Sequence, residues 1–429
     1  MPLDKLLGAA AVIAGSDRPA DRLGQELTDG RAMTGMLCSL HWQCERASHI
    51  DLRLLPKLNL WHDILPFALE AEILGKPLGH QASHDFAAGE LLPGYDAGQC
   101  FDIPASAFNR KRSKHRTVEP RAGRFYPRGH IGGVHGILPE ERMPMRIGRV
   151  GDDSLTVDLN HPLAHRPVTF GARIVDVWPA GDEHDGRCHD LAETVAAGGP
   201  GMTARWREQP TDFWSDAPFS RLAEEADERF YSVPRLVQHL DAHCRAALRA
   251  LHADLIPAGS RVLDLMASWD SHLPDDLVLD QVTGLGMNAE ELAANPRLDE
   301  RRVQDLNTDP TLPFADAGFD AVICTASVEY LTRPAAVFAE LQRVLAPGGL
   351  LLVSFSDRWF PPKVIRIWQD IHPFERPALV LDELQAAGLE DLHSLSLRGL
   401  PRPADDKYAD RMADADPLFA VWGNKRLTV

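Results

Sequence analysis

Polar and aromatic side chains with binding chemistry recur in the C-terminal half of the chain. Carboxylates and amides can accept hydrogen bonds from a ligand's hydroxyl and amino groups, and aromatic faces stabilise cations. The candidate binding residues are Asp264, Ser268, Trp269, Met287, Asn288, Asp305, Leu306 and Ser327. The candidates for contact with a reacting group are Tyr231, His272 and Tyr330, with Trp359 and Phe360 nearby. His272 has the chemistry of a general base, and a purely structural role is an equal alternative.

The elements that position these residues alternate between strand and helix. Short apolar runs such as 262–265 and 319–324 are typical of buried parallel strands, and the runs between them have helical spacing. Alternation of this kind predicts a parallel, doubly wound sheet. Ligands bind such sheets where the carboxyl ends of the strands meet. Residues 392–398 and 418–423 are predicted to form a final antiparallel pair.

The segments Val262-Leu263-Asp264-Leu265, Phe319-Asp320-Ala321-Val322-Ile323 and Leu345-Ala346-Pro347-Gly348-Gly349 occur in the order typical of one family. Together they resemble class I S-adenosylmethionine-dependent methyltransferases over roughly residues 212–426. The resemblance implies a Rossmann-like fold and S-adenosylmethionine as the cofactor. It also implies that Asp305 contacts the adenine and that Leu306 packs on its ring.

Two family features are replaced in this chain. The glycine-rich loop after the first strand is absent, and Met266-Ala267-Ser268-Trp269 stands in its place. The acidic residue that usually ends the second strand is replaced within 284–288, where Asn288 is the candidate substitute. We therefore expect a working site with altered cofactor geometry; a degenerate domain that binds nothing is the alternative.

The sequence defines the methyl acceptor less closely than it defines the cofactor. No strong acid/base constellation is present, which fits an acceptor that is already nucleophilic, such as a thiol or sulfide. Hydroxyl and carboxylate acceptors stay open. The net charge of −17 argues against bulk nucleic acid and anionic membranes as partners.

The N-terminal half is rich in short strand-like runs. Pro66-Phe67-Ala68-Leu69-Glu70 and Asp158-Leu159-Asn160-His161-Pro162-Leu163-Ala164 resemble FKBP-type prolyl isomerases of the SlyD kind over residues 37–180. The resemblance implies an inserted flap between 108 and 158. Residues that could line its prolyl pocket are Trp42, Tyr95, Leu163 and Phe170.

These observations predict a cytoplasmic protein of two domains. The expected division is an extension (1–36), a mostly-β or α+β SlyD/FKBP-like domain (37–180), a linker (181–211) and an α/β Rossmann-like methyltransferase domain (212–429) with a parallel sheet and a final antiparallel strand. No metal is expected, because His184, Cys188 and His189 fit no familiar zinc spacing.

The predicted function is methylation of a small nucleophile, with self-association or capping of the acceptor entrance as a role for the N-terminal domain. The alternatives are a prolyl isomerase or chaperone with a regulatory cofactor-binding module, and a protein methyltransferase.

Overall fold

The computed structural model describes residues 3–15, 33–111, 117–178 and 188–427. The strands are β1 Met33–Gln43, β2 Ala47–Asn59, β3 Gln81–Phe86, β4 Cys100–Pro104, β5 Phe125–Pro127, β6 Pro144–Val150, β7 Ser154–Asp158, β8 Val168–Trp178, β9 Arg261–Leu265, β10 Gln281–Gly286, β11 Glu300–Val303, β12 Phe319–Thr325, β13 Leu345–Phe355, β14 Leu389–Arg398 and β15 Leu418–Lys425. The helices are α1 Asp4–Ala14, α2 Phe67–Ile73, α3 Leu191–Ala196, α4 Asp227–Phe230, α5 Ala242–Leu255, α6 Ala289–Ala294, α7 Pro334–Val344, α8 Arg366–Asp370 and α9 Arg376–Ala386.

The C-terminal strands form the predicted doubly wound sheet. Its order is β11-β10-β9-β12-β13, all parallel, followed by β15, which is antiparallel to β13 and to β14. The strand order reverses between β9 and β12, because β10 and β11 continue to one side of β9 while β12 and β13 lie on the other. Both faces are covered, since Val262 and Leu263 of β9 pack into separate hydrophobic clusters. The predicted antiparallel pair near the end of the chain is confirmed.

The two halves share one sheet, which the sequence analysis did not predict. β2 pairs in parallel with β14, from Ala47 beside Leu392 to Arg53 beside Arg398. The order then continues through β1, β8 and β3, so that eleven strands form a continuous sheet. A separate four-stranded sheet has the order β4-β7-β6-β5; β4 lies before the range 108–158 that the SlyD resemblance gives to a flap, and that resemblance stays a prediction.

The pairing of β2 with β14, here called the seam, buries polar side chains. Asp51 accepts hydrogen bonds from Trp42 Nε1 at 2.9 Å and Ser396 Oγ at 2.6 Å. His49 Nδ1 lies 2.7 Å from Ser394 Oγ. His49, Asp51 and Arg53 alternate with Ile50, Leu52 and Leu54, so β2 carries a strand pattern that the sequence analysis missed, and its polar positions 49 and 51 are buried against β14.

The first predicted boundary and the described part of the predicted linker both lie within packed structure. The boundary at residue 36 falls inside β1, and α1 packs beside α5 of the C-terminal half, where Leu6 N–H donates to Asp254 at 2.9 Å. In the described part of the predicted linker, residues 188–211, α3 buries Leu191 and Val195 in the N-terminal core. This segment is therefore packed structure; His184 lies outside the described residues.

The residues proposed for a prolyl pocket are mostly inside the core. Trp42, Leu163 and Phe170 are each at most 3% exposed and pack in one hydrophobic cluster. Tyr95 alone of the four lines a described cavity. Among the described helices, none is both long enough and apolar enough to cross a membrane.

Candidate active site

A cavity that is open to solvent lies at the carboxyl ends of β9, β10 and β12, beside the reversal of strand order. All eleven residues named as candidates from the sequence line it: Tyr231, Asp264, Ser268, Trp269, His272, Met287, Asn288, Asp305, Leu306, Ser327 and Tyr330. Phe360 also lines the cavity, whereas Trp359 instead packs under the guanidinium of Arg376 at 4.5 Å. The fold thus brings the candidate set together in space, and the role of each residue stays a prediction.

The loop after β9 contains a non-glycine residue in a backbone conformation that glycine favours. Met266 has φ 57°, in the left-handed region that favours glycine. The loop is fixed by Ser268 Oγ, which donates to Glu291 at 2.6 Å, and by Asn295 Nδ2, which donates to Ser268 O at 2.8 Å. Side-chain hydrogen bonds thus stabilise a turn with a positive φ angle at a position where the sequence has no glycine.

The same loop explains the missing carboxylate at the end of β10. A Cβ on Gly286 would lie 2.2 Å from the carbonyl oxygen of Ala267, so no side chain fits there. Asn288 is already engaged: its Oδ1 caps α6 by accepting from Glu290 N and Glu291 N, and its Nδ2 donates to Tyr231 O at 2.9 Å. Substitution of the lost acid by the Asn288 side chain is therefore disfavoured. Glu291, one turn further on, supplies a carboxylate to the cavity.

Asp264 is a buried acid with spare hydrogen-bonding capacity. It is 3% exposed, and its Oδ2 has no partner among the described residues. Burial raises the pKa of Asp264 to about 7, the nearby charge of Asp270 adds to this, and a hydrogen bond from Ser271 opposes it. Because it lines the cavity, this oxygen can accept a hydrogen bond from a bound ligand.

Asp270 and His272 form a pair at the cavity wall. His272 Nδ1 lies 3.2 Å from Asp270 Oδ2, and the His272 N–H donates to Asp270 Oδ1 at 2.8 Å. Gln238 and Arg249 also donate to Asp270, at 2.8 and 3.1 Å. Burial alone would raise the pKa of Asp270, but hydrogen bonds and charge from His272 outweigh it and hold that pKa well below its usual range. The contact of His272 Nδ1 with Asp270 Oδ2 lacks hydrogen-bond geometry, so Asp270 acts on the ring through its charge. An ionised carboxylate beside a histidine is a recurrent base arrangement.

The two tyrosines remain phenols at neutral pH. Burial is the main cause that raises the pKa of both Tyr231 and Tyr330 well above the ordinary value. The Tyr330 hydroxyl accepts a hydrogen bond from Phe360 N–H at 2.8 Å. Neither is suited to act as a base, and both are suited to shape the wall of the cavity.

The proposed adenine region is polar and locally ordered. The Asp305 carboxylate accepts from Asn307 N–H at 2.9 Å and from the Thr308 hydroxyl at 2.7 Å, and each oxygen can accept a further bond. Leu306 beside it is 3% exposed. Ser327 donates its hydroxyl to Thr325 O at 2.9 Å.

The cavity is lined by more acidic than basic side chains. Asp227, Asp264, Asp270, Glu291 and Asp305 line it, and Arg235 is the single Arg or Lys among the described lining residues. Asp227 is neutralised by Arg221 and Lys363, at 2.7 and 2.8 Å. Asp270 is paired with Arg249 at 3.1 Å, so Glu291 and Asp305, together with the ionised form of Asp264, favour a ligand with positive charge.

Residues 269–353 match the family model described as a methyltransferase domain. The chain carries a methyltransferase domain. S-adenosylmethionine is the expected cofactor of such a domain, and the matched range contains eight of the eleven candidates.

Two curated relatives are methyltransferases. The malonyl-[acyl-carrier protein] O-methyltransferase of Marinomonas sp. is 27% identical over 89 residues, 19% of this chain and 33% of the relative. The ubiquinone/menaquinone biosynthesis C-methyltransferase UbiE of Laribacter hongkongensis is 32% identical over 105 residues, 24% of this chain and 41% of the relative. The chain thus spans between a third and two-fifths of the length of these relatives.

Solved structures of methyltransferases also align with this chain. The complex between the Haloferax volcanii Trm112 methyltransferase activator and a methyltransferase has 19% identity and a TM-score of 0.33, and covers 42% of this chain and 89% of that chain.

The cavity of the methyltransferase domain fits its expected cofactor chemically. S-adenosylmethionine carries a sulfonium and an ammonium, and the cavity offers the unpartnered Oδ2 of buried Asp264 within an acidic lining. The adenine amino group and the ribose hydroxyls are hydrogen-bond donors, and Asp305 and Glu291 offer carboxylate acceptors for them.

Sequence reasoning missed several polar residues of this cavity, among them Asp270, Glu291 and Arg235. Asp270 lies two positions before His272, and that spacing was the available signal. Glu291 follows the helix cap Asn288 by three residues, a capping-box position. Arg235 lies in the segment before α5, and the sequence gave no signal for it.

A group with metal-ligand chemistry lies elsewhere. Ligand atoms of His62, Asp63 and Cys188 are within 4.8 Å of one another. However, Asp63 accepts from the backbone of Asn59 and His189, and Cys188 Sγ donates to His62 O at 3.1 Å. These bonds account for the cluster without an ion.

Proposed function

We propose that the protein transfers a methyl group from S-adenosylmethionine to a small nucleophile, with a thiol or sulfide as the first acceptor to test. The observation that carries the proposal is the convergence of the eleven candidate residues on one cavity at the reversal of strand order. This is where open α/β sheets bind their ligands.

The proposal assigns a role to each carboxylate. Asp305 accepts from the adenine amino group, beside Leu306, and Glu291 accepts from the ribose hydroxyls in place of the acid that Gly286 excludes. Asp264 accepts from the ammonium group. When bound, the cofactor supplies an electrophilic methyl group on a sulfonium.

The Asp270–His272 pair is proposed to receive the acceptor's proton. An acidic cavity disfavours an acceptor that enters as an anion, so the acceptor is proposed to enter as a neutral thiol and to become the nucleophilic thiolate only on losing its proton there. His272 takes the proton of the S–H group, and Asp270 stabilises the imidazolium that forms. The remaining rate enhancement comes from proximity and orientation within the cavity.

A larger acceptor, including a polypeptide, is the second candidate. Val233, Leu236 and Val237 precede α5 and are 66, 54 and 58% exposed, and Val237 also lines the cavity. An apolar rim of this kind suits an acceptor that extends beyond the cavity.

The N-terminal half is proposed to be an accessory part of the enzyme. Its resemblance to SlyD stays a prediction, and burial of Trp42, Leu163 and Phe170 argues against isomerase activity at that pocket. Self-association through this half also stays a prediction.

The test is calorimetric titration of the full chain with S-adenosylmethionine and S-adenosylhomocysteine, followed by transfer of labelled methyl to sulfide, small thiols and an unfolded polypeptide. We expect binding of both compounds and labelling of the small thiols. Absence of binding to folded protein refutes the enzyme. Labelling of polypeptide alone refutes the small acceptor and supports the second candidate.

A further inference from the structure

Helix α5 contacts both members of the Asp270–His272 pair. Two of its side chains, Arg249 and His252, are three residues apart and therefore lie on one face of the helix. Arg249 Nη2 donates to Asp270 Oδ2 at 3.1 Å, and His252 Nδ1 lies 2.9 Å from the carbonyl oxygen of His272. The helix thus holds the carboxylate through one side chain and the histidine through the other.

His252 is a buried hydrogen-bond donor. It is fully buried, and because a carbonyl oxygen can only accept, the ring proton lies on Nδ1. Its Nε2 has no hydrogen-bond partner among the described residues, so a second proton there would be unsatisfied. Burial lowers the pKa of His252 to about 4, despite the hydrogen bond to His272 and the charge of Asp270. The ring is therefore neutral near pH 7 and donates from Nδ1.

The backbone of His272 has a strained conformation that this bond helps to hold. Its φ is 52°, in the left-handed region that residues with a Cβ rarely adopt. The His272 backbone N–H donates to Asp270 Oδ1 at 2.8 Å, and its carbonyl oxygen accepts from His252. Such a conformation persists where the surrounding structure over-determines it. The direction in which the His272 imidazole enters the cavity wall therefore depends on both bonds.

His252 itself lies behind the cavity. It is not one of the described residues that line the cavity, and its neighbours Leu251 and Leu255 belong to the hydrophobic core. A histidine is a costly residue in an apolar core, because one of its ring nitrogens stays unsatisfied there. The hydrogen bond to the His272 carbonyl is an interaction that an apolar residue does not supply.

We propose that His252 is a positioning residue for methyl transfer, which fixes the His272 carbonyl and thereby keeps the His272 imidazole beside Asp270. The inference rests on the proposed function, in which His272 receives the acceptor's proton. Arg249 does the same for the Asp270 carboxylate, so α5 aligns the base and its charged neighbour together. This alignment affects rate because a base must lie within hydrogen-bond reach of the proton that it removes.

Two substitutions separate the hydrogen bond from the packing. His252→Asn keeps an amide donor at the place of Nδ1 but loses the volume of the ring. His252→Leu keeps the volume and the apolar contacts but loses the donor. We expect His252→Leu to lower kcat with a thiol acceptor about tenfold to a hundredfold and His252→Asn to retain most of it. Calorimetric affinity for S-adenosylmethionine should be unchanged in both, whereas a purely structural role would favour His252→Leu.

Coupling to His272 is tested in a double-mutant cycle. If His252 acts through His272, His252→Leu should cause no further loss of kcat in a protein that already carries His272→Asn. His243→Leu is the matched control: His243 Nδ1 lies 2.6 Å from the carbonyl oxygen of Pro401, on the same helix but outside the cavity, so kcat should not change. Additive losses in the cycle, or an equal loss in His252→Asn and His252→Leu, overturn the proposal.

The placement of His272 is also measurable without turnover. Diethylpyrocarbonate acylates accessible imidazoles, and the His272 side chain is 12% exposed. We expect the rate of acylation at residue 272, followed by peptide mass spectrometry, to rise severalfold in His252→Leu and to stay unchanged in His252→Asn. If His252→Leu does not fold, His252→Gln replaces it, because its amide reaches the place of Nε2 and leaves Nδ1 without a substitute.

This measurement separates the two proposals. A rise in His252→Leu without methyl transfer in the natural protein supports the positioning role and refutes the proposed function. Equal rates of acylation in all folded variants overturn the positioning role, whether or not the natural protein transfers methyl groups.

Discussion

Replacement of Asp264 by asparagine should stabilise the free protein and weaken cofactor binding. Burial raises the pKa of Asp264 to about 7, compared with about 3.9 in an unfolded chain. Three pKa units correspond to about 4 kcal/mol, the amount by which the ionised group disfavours the folded state above pH 7. Asp264→Asn removes this cost but leaves an amide to be satisfied, so we expect a net gain of about 2–4 kcal/mol at pH 8.

The pH dependence has a definite sign. When folding raises the pKa of a carboxyl group, the free energy of unfolding falls as pH rises from about 4 to about 7. The reason is that the unfolded chain releases this proton at a lower pH than the folded protein does. At pH 5 the folded group is still protonated, and the cost falls to about 1.5 kcal/mol. The free energy of unfolding of Asp264→Asn exceeds that of the natural protein, and this difference should therefore be about 2–3 kcal/mol smaller at pH 5 than at pH 8.

The assay is urea unfolding of both proteins at the two pH values, with calorimetric titration of S-adenosylmethionine at pH 8. Affinity should fall about tenfold to a hundredfold, since the ammonium loses an ionised partner. Asp275→Asn, an exposed position on the same loop, is the control and should alter neither quantity. Destabilisation by Asp264→Asn at pH 8, or an advantage that does not change with pH, would refute the reasoning.

Three further substitutions test the same cavity. Asp305→Ala should weaken S-adenosylmethionine binding by about 1.5–3 kcal/mol in calorimetry, because one charge-assisted hydrogen bond is lost. Asp270→Asn should lower kcat by about a hundredfold with little change in cofactor affinity, because His272 loses the charge that stabilises its protonated form. Gly286→Asp should lower the free energy of unfolding by about 1–3 kcal/mol in urea, because its Cβ would overlap the Ala267 carbonyl.

Each substitution has a comparison that isolates its cause. Asp309→Ala removes an exposed carboxylate four residues from Asp305 and should leave affinity unchanged. An equal loss of kcat and cofactor affinity in Asp270→Asn would mean that the loop has collapsed and that His272 was not the target. Gly8→Ala, which has open space around the added methyl, should be neutral or stabilising, and tighter cofactor binding in Gly286→Asp would contradict the steric argument.

The C-terminal sheet was predictable because its signals are local. The apolar runs of β9 and β12 and the spacing of α7 each report burial on their own, and strand order follows from the alternation. The candidate site was predictable for the same reason, since parallel strands bring their carboxyl ends to one edge. Asp264 and Asp305 therefore lie in one cavity although they are 41 positions apart.

The seam was not predictable, because its stability comes from pairs that are distant in sequence. His49 and Asp51 are polar and look solvent-exposed when β2 is considered alone. Their partners Ser394 and Ser396 are 345 positions away and give no signal until the fold brings them together. The contact between Gly286 and Ala267 was not predictable for the same reason. Only the folded loop shows why the end of β10 has no carboxylate.

Sharing one sheet has a consequence for the order in which the protein is made. Translation delivers β1, β2 and β8 early, and their sheet then presents the free edge of β2 until β14, one of the last strands to be synthesised, can add to it. An unpaired edge is a template for association with other chains. The edge of β2 thus stays unpaired until β14 has been synthesised, and the nascent chain must protect this edge during synthesis of the whole methyltransferase domain.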